Sequence, residues 1–362
     1  MKISRIQCKL YRIPLAVPVQ AASTAVMKGF DMVFVRVWDD EGCVGCGYTV
    51  VMEGQGGSIA SLIEDNFAPM TVGEDPRRIE WIWQRLWKRH HYLGRGGSVS
   101  FALAAFDTAL WDLRGNTLQE PLWRLLGGHD ARVRAYAGNI DLNFPMDELL
   151  QGGRNSLSAG FKSIKMRLGK PSINEDVERV DAMRELLGPD IELMADANEA
   201  WRTDQAVRAF RALSDFDLVW IEEPIRPDDY AGYAHLRSLG LVPISAGENL
   251  HTVSEFAALI NAGGVDFPEP DLTTCGGITP WMKVARLAEA NGLPVTSHGA
   301  HDLHVHLLAA VPNGAYLEFH GFGLDRYMAD PLTVVDGYAT APDRPGHGIS
   351  FDFDALETHV VS

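Results

Sequence analysis

Polar and apolar positions along this chain fall into two regimes. Up to about residue 50 they alternate one by one, in KISRIQCKLYRI, in DMVFVRVWDD and, past a turn at Glu41-Gly42, in VGCGYTV. A period of two puts successive side chains on opposite faces, so these runs predict an antiparallel meander. From about 57 to 126 the period lengthens. RRIEWIWQRLWKRH sets Ile79, Ile82 and Leu86 at helical spacing, and SVSFALAAFDTALWDLRG reads as a largely buried helix. Strands followed by helices describe an α+β domain. Two stretches that keep neither period, near 16–30 and 50–57, are predicted as loops on this scaffold.

From residue 133 the pattern becomes a regular alternation. The apolar runs VRAYAG, SIKMRL, IELMAD, LVWIEE, VPISAGE, VDFPEPD, LPVTSH and AYLEFH are separated by helical stretches such as NEDVERVDAMRELLG and TPWMKVARLAEANG. Eight strands interleaved with helices predict an α/β fold, a closed (β/α)8-type (modified TIM) barrel. The expected organisation is an α+β capping domain over 1–126, a barrel over 127–330, and a C-terminal segment over 331–362 that returns to the capping domain. An open doubly wound sheet is the alternative, but no G-x-G-x-x-G follows a strand.

Composition narrows the function. With 362 residues, 46% of them hydrophobic, the chain can bury a large core. A net charge of −16 argues against nucleic acid or an anionic membrane as partner. It leaves room for a small anionic substrate, because a divalent cation reverses the local field. No apolar run approaches a membrane span, and the first residues lack the apolar core of a signal peptide. Cys8, Cys43, Cys46 and Cys275 are too scattered for a disulfide framework, so a cytoplasmic setting is expected.

The chemistry lies at the strand ends. Asp196, Glu222 and Glu248 are spaced equally (222 − 196 = 26, 248 − 222 = 26), each at the end of an apolar run. One strand-plus-helix unit of a barrel is about that long, roughly 250 residues divided by eight. Three successive strands would aim three acids at one point, and oxygen ligands without cysteine or histidine suit Mg²⁺. The other strand ends offer Lys165 and Arg167, then Asn198, Asp271, His298 and Glu318. His298 titrates near neutral pH and is the natural general base, with Asp271 to fix its tautomer. A carbon acid beside a carboxylate is too weak for a base alone, so the cation must stabilise the charge that forms. Glu318, if burial and like charge keep it protonated, is expected to donate to a substrate oxygen. Strand alternation turns Glu223 to the opposite face, as a structural acid.

The segments IKMR, ADAN, WIEEP, AGEN, PDLTTCGGIT, SHG and YLEF resemble, in order, the strand-end motifs of the mandelate racemase branch of the enolase superfamily. The resemblance spans essentially the whole chain. It implies Mg²⁺-assisted removal of the proton α to a carboxylate, giving an enediolate, under two N-terminal loops that close over the substrate. It also implies a homo-oligomer, relatives often being octamers, and an electrophilic role for Glu318.

Many relatives carry Lys-x-Lys on the second strand, where this chain has Arg167. Guanidinium stays protonated, so Arg167 binds a carboxylate or hydroxyl and is a poor base. Lys165 shares its strand face, and Arg167 with the metal is expected to depress its pKa, making it an acid or a second base. One clear base suits elimination better than racemisation. The expected reaction is therefore dehydration of an acid sugar, an aldonate or aldarate, to a 2-keto-3-deoxy acid. Cycloisomerisation of a sugar lactone or anhydro acid comes next, and racemisation or epimerisation third. A metal-dependent hydrolase would commonly open its first strand with His-x-His, where this chain reads AYAGN, and the intact ligand set disfavours a catalytically silent relative. Glu269, where relatives often have a neutral residue, has no reading from sequence.

Weaker signals are set aside. Cys43 and Cys46 have zinc-like spacing but no second pair. GRGGS at 94–98 lacks the lysine and strand context of a phosphate loop, and Trp81, Trp83 and Trp87 read as packing. Of His301, His304 and His306, His301 is expected to contact substrate.

Overall fold

The computed structural model describes residues 1–20, 22, 26–320 and 322–361. Strands β1 (Ile3–Val19), β2 (Met27–Asp39) and β3 (Val44–Met52) form an antiparallel sheet in the order β1-β2-β3. Helices Ile79–His90 and Ser98–Leu118 pack with it around Val33, Val35, Val37, Leu86, Leu103 and Phe106. The close approach is visible at Gly45 and Gly47, where a Cβ would fall 2.2 and 2.3 Å from backbone oxygens of Ala109 and Ala105.

The predicted loops are shorter than their sequence suggests. β1 runs to Val19 and β2 starts at Met27, with Val19 paired to Met27, so much of 16–30 belongs to the sheet. Antiparallel pairing across the hairpin holds Val19 and Met27 extended. Residues 21 and 23–25 lie outside the described part. Likewise β3 reaches Met52 and a helix begins at Gly56, which leaves 53–55 of the predicted 50–57 loop.

The second sheet is the barrel. Strands β4 (Arg132–Ile140), β5 (Ser163–Arg167), β6 (Glu192–Asp196), β7 (Leu218–Glu222), β8 (Ile244–Ala246) and β9 (Phe267–Pro268) pair in parallel in that order, and β10 (Tyr316–Phe319) returns to pair with β4. The seventh predicted strand, LPVTSH, is reduced to a bridge between Val295 and Gly314, tied to β9 by the Thr296 N–H on the Pro268 carbonyl (3.0 Å). Pro268 and Pro294 carry no N–H for a ladder, which accounts for the short pairing there. Tyr136, Met194, Trp220 and Tyr316 fill the barrel interior as one cluster. Beyond the barrel, β11 (Val334–Val335) and β12 (Tyr338–Thr340) add a hairpin antiparallel to β4, and Phe351 and Phe353 pack edge-on against Phe34 of β2. No helix among the described residues is long and apolar enough to cross a membrane.

Candidate active site

Parallel pairing puts the ends of neighbouring barrel strands at one level. Arg167 of β5 is in register with Asp196 of β6, and Asp196 with Glu222 of β7. Just past these ends the backbone turns left-handed at Asn198 (φ 41°), Glu199 (φ 60°) and Glu223 (φ 37°), conformations that cost energy without glycine and that gather at functional sites.

Asp196, Glu222 and Glu248 are brought together, each offering a carboxylate oxygen within 4.8 Å of the others. Lys165 is 3% exposed and is held between carboxylates, its Nζ 2.6 Å from Glu222 Oε1, 2.8 Å from Glu318 Oε1 and 3.8 Å from Asp196 Oδ2. Burial favours its neutral amine. The charges of Glu222, Glu318, Asp196 and Glu269 outweigh burial and hold the ammonium well above its ordinary pKa. The depressed pKa expected from sequence is therefore reversed, because four acids face Lys165 while Arg167 makes no hydrogen bond or ion pair among the described residues.

Glu318 also departs from expectation. Its Oε2 accepts the Gly299 N–H (2.7 Å) and its Oε1 the Lys165 ammonium. Burial pushes its pKa up, but Lys165 and His298 pull it well below the usual range, so it is an ionised acceptor and not a protonated donor. Glu223 does not point away from the site either. β7 ends at Glu222, so strand alternation no longer governs the next residue. Its carboxylate is buried, accepts the Asn249 amide (2.8 Å), and is raised well above its ordinary pKa by burial and then by Glu248 and Asp196.

His298 stands 3.0 Å from Asp271 Oδ2 through Nδ1, and 3.3 Å from Glu248 Oε2 through Nε2. Burial favours the neutral ring, but Glu248 and Asp271 outweigh it and raise its pKa well above 6.5. Asp271 also accepts from the Thr273 N–H and hydroxyl, and these bonds with His298 hold it below its ordinary value against burial. Phe322 leans edge-on against both His298 (6.0 Å) and Phe30 of the capping domain (5.1 Å).

His301 does not reach the site. All nine residues of helix His301–Ala309 are buried, and the His301 ring stacks on Phe319 (4.0 Å) beside Asp325 (3.2 Å). The three-histidine series is core: His304 Nε2 accepts the Leu272 N–H (2.9 Å) while its Nδ1 meets the Gly299 carbonyl. Glu269, unread in sequence, is fully buried in the barrel, accepting from the Tyr136 hydroxyl (3.0 Å) and the Ser245 hydroxyl (2.9 Å).

The donor set suits a hard divalent cation. Seven acids (Asp196, Glu222, Glu223, Glu248, Glu269, Asp271 and Glu318) crowd one lysine and one histidine, and buried charge without a counterion is costly. Asn198 Oδ1 and Glu223 Oε1 are buried here without a hydrogen-bond partner among the described residues.

A cavity of about 640 Å³ opens between the two domains over this cluster. Glu248, Asp271 and His298 line its barrel side, and Phe30, Val50, Ile59 and Phe101 its capping side. Among the described residues, neither lysine nor arginine lines it. Among the polar wall residues that sequence reasoning missed is His251, whose contacts come from residues some 150 positions away.

Comparison with known proteins gives the lineage. Residues 5–127 match the mandelate racemase / muconate lactonizing enzyme N-terminal domain, and residues 149–355 the enolase C-terminal domain-like family. A 3,6-anhydro-α-L-galactonate cycloisomerase of Streptomyces coelicolor is 47% identical over 98% of both chains. The crystal structure of a racemase from Streptomyces coelicolor with bound magnesium superposes with a TM-score of 0.97 at 46% identity, covering 99% of this chain and 100% of that one. An L-talarate dehydratase from Polaromonas, complexed with Mg and L-glucarate, superposes at 0.95 with 33% identity, covering 100% and 98%. The chain therefore belongs to the mandelate racemase / muconate lactonizing enzyme family of the enolase superfamily, as a (β/α)8-type barrel enzyme under an α+β capping domain.

Proposed function

We propose that this enzyme removes the proton α to the carboxylate of a sugar mono-acid and expels a ring oxygen from the β-carbon, a cycloisomerisation of an anhydro-sugar acid that yields a 2-keto-3-deoxy acid. The observation that carries the choice is the cavity wall. Its capping side carries Phe30, Val50, Ile59 and Phe101, and among the described residues no lysine or arginine lines it, so it suits a compact cyclic ether and offers the second carboxylate of an aldarate no lysine or arginine on that wall. The 47%-identical cycloisomerase supports the same choice.

Asp196, Glu222 and Glu248 would hold Mg²⁺, which supplies a Lewis acid for the substrate carboxylate. Glu248 is the leading charge that holds the His298 ring protonated, and a cation bound there would take up that charge, so that His298 can take the α-proton on Nε2, the nitrogen turned away from Asp271. Asp271 keeps the Nδ1 proton in place and stabilises the imidazolium that forms. As the β C–O bond breaks, the leaving oxygen needs a proton, and the His298 imidazolium returns the one it took. The enol then becomes the 2-keto acid by protonation at C3. Atoms balance without loss of water. Lys165, fixed as an ammonium beside Glu222 and Glu318, contributes positive charge next to the forming anion.

Mass and proton NMR spectra in D₂O, recorded on Mg²⁺-loaded enzyme with anhydro-aldonates, aldonates and aldarates, test this reading. An isomer of unchanged composition from an anhydro-aldonate is the expected product. Efficient dehydration of aldonates or aldarates with no turnover of anhydro acids would replace it with the dehydratase reading.

A further inference from the structure

On the cavity wall away from the acid cluster, one polar side chain has a fixed orientation. His251 lies three residues past Glu248, in AGENLHT. Its backbone N–H donates to Glu255 Oε2 (2.8 Å), and the next residue, Thr252, caps helix Val253–Asn261. Its carbonyl accepts the Ser100 hydroxyl (2.9 Å), and its ring stands edge-on to Phe101 (5.3 Å). The residue is therefore pinned from both domains.

Its tautomer is also fixed. Nδ1 accepts the Gly97 N–H (3.1 Å), so that nitrogen holds a lone pair and the ring proton sits on Nε2. Burial lowers the pKa of the ring against the weaker pull of Glu255 and Asp271, which favours the neutral form. Nε2 has no hydrogen-bond partner among the described residues, and the ring lines the cavity. The result is a neutral, preorganised N–H donor in a pocket that no lysine or arginine lines among the described residues.

We infer that His251 reads the far end of the substrate, donating Nε2–H to an uncharged hydroxyl or ether oxygen beyond the reacting carbons and so selecting mono-acids over di-acids. A substrate lacking that oxygen leaves a buried donor unpaired, and a second carboxylate at that end meets no lysine or arginine among the described residues that line the cavity. A site built to hydrogen-bond one oxygen discriminates strongly against analogues that lack it. The inference deepens the proposed function and rests on it for the reaction, but its test reads binding and does not need turnover.

Two substitutions separate the roles of the two ring nitrogens. In His251→Asn the amide oxygen occupies the place of Nδ1 and keeps the Gly97 bond, while the donor no longer reaches the cavity. In His251→Gln the amide nitrogen reaches the place of Nε2. Calorimetry on Mg²⁺-loaded full-length protein would compare galactonate, a six-carbon mono-acid, with three-carbon lactate and with the di-acid galactarate. His251→Asn should weaken galactonate about 10-fold or more, leave lactate within about twofold, and be largely rescued by Gln. Equal loss for both mono-acids would reduce His251 to a prop for the Gly97 segment and overturn the inference. So would unchanged galactonate binding, wild-type enzyme that prefers galactarate, or wild-type enzyme that binds galactonate no better than lactate. Absence of turnover of anhydro-aldonates with these affinities intact would sink the reaction reading alone.

Discussion

Nδ1 of His298 lies 3.0 Å from Asp271 Oδ2, and Thr273 donates twice to the other oxygen of that carboxylate. The acid is thus held in place from one side while it orients the ring from the other. Replacing His298 with Asn should cut both α-proton exchange and elimination by roughly 10²–10⁴-fold. Asp271→Asn keeps the shape but offers an amide that can present its N–H to Nδ1, which favours the wrong tautomer. Both variants should therefore fail in deuterium exchange measured by NMR while still binding Mg²⁺. Retained exchange in His298→Asn would move the base elsewhere.

Metal should be visible in stability as well as in activity. A cation that binds only the folded state stabilises it by RT ln(1 + [Mg²⁺]/Kd), about 2.7 kcal/mol at 100 times Kd. Wild-type protein should unfold at higher temperature with Mg²⁺ than with a chelator. Glu222→Gln and Asp196→Asn should lose that increment together with activity, because each removes one carboxylate of the triad. A Mg²⁺-dependent increment that survives in both variants would misplace the ion.

Lys165 and Arg167 share a strand face but not an environment. Lys165 contacts three carboxylates, whereas Arg167 is half-buried and unpaired among the described residues. Lys165→Ala leaves acids facing one another in the barrel, and breaking a buried pair costs about 3–5 kcal/mol. Such a variant should unfold at lower denaturant and be inactive. Arg167→Lys should keep elimination within about tenfold, since it exchanges one half-buried cation for another. An inactive Arg167→Lys with normal Mg²⁺ binding would instead give the guanidinium a bidentate contact with the substrate.

The metal-ligand candidates were legible because a repeating strand-helix unit turns equal sequence spacing into spatial convergence, and Asp196, Glu222 and Glu248 sit at equal spacing. The His298–Asp271 pair was legible for the same reason, one strand apart. What failed was local geometry at element ends. Glu223 escaped the alternation rule because its φ is +37°, past the last residue of β7. His301 looked like a mouth residue, but the helix it opens is buried on every side. The ionisation of Glu318 and Lys165 depends on their 2.8 Å contact, which no single-strand pattern encodes. His251 was invisible since its partner Gly97 lies in a segment read as an uninformative glycine loop.

Glu269 gives the pH test. It is fully buried, and burial raises its pKa to about 8 against the opposing charge of Lys165. Because the folded state holds this proton more tightly than the unfolded chain does, the sign is fixed. Its contribution is fully present below the unfolded pKa of about 4.5 and is lost as pH rises through about 8. Gln carries no titrating proton and fits the same partners, accepting from Tyr136 while Ser245 keeps its bond to the Phe267 carbonyl. Glu269→Gln should therefore gain stability relative to wild type as pH is raised from 5 to 9 (the window of about 4.5 to 8 with margins). Glu269→Leu should lose stability at both ends, by about 1–3 kcal/mol for the Tyr136 hydroxyl left without an acceptor. Urea titrations of the three proteins at the two pH values, with chelator present throughout, measure the difference. Parallel pH dependence in wild type and Glu269→Gln would show that this carboxylate is ionised in the folded protein across the range, with Lys165 and not burial setting its charge.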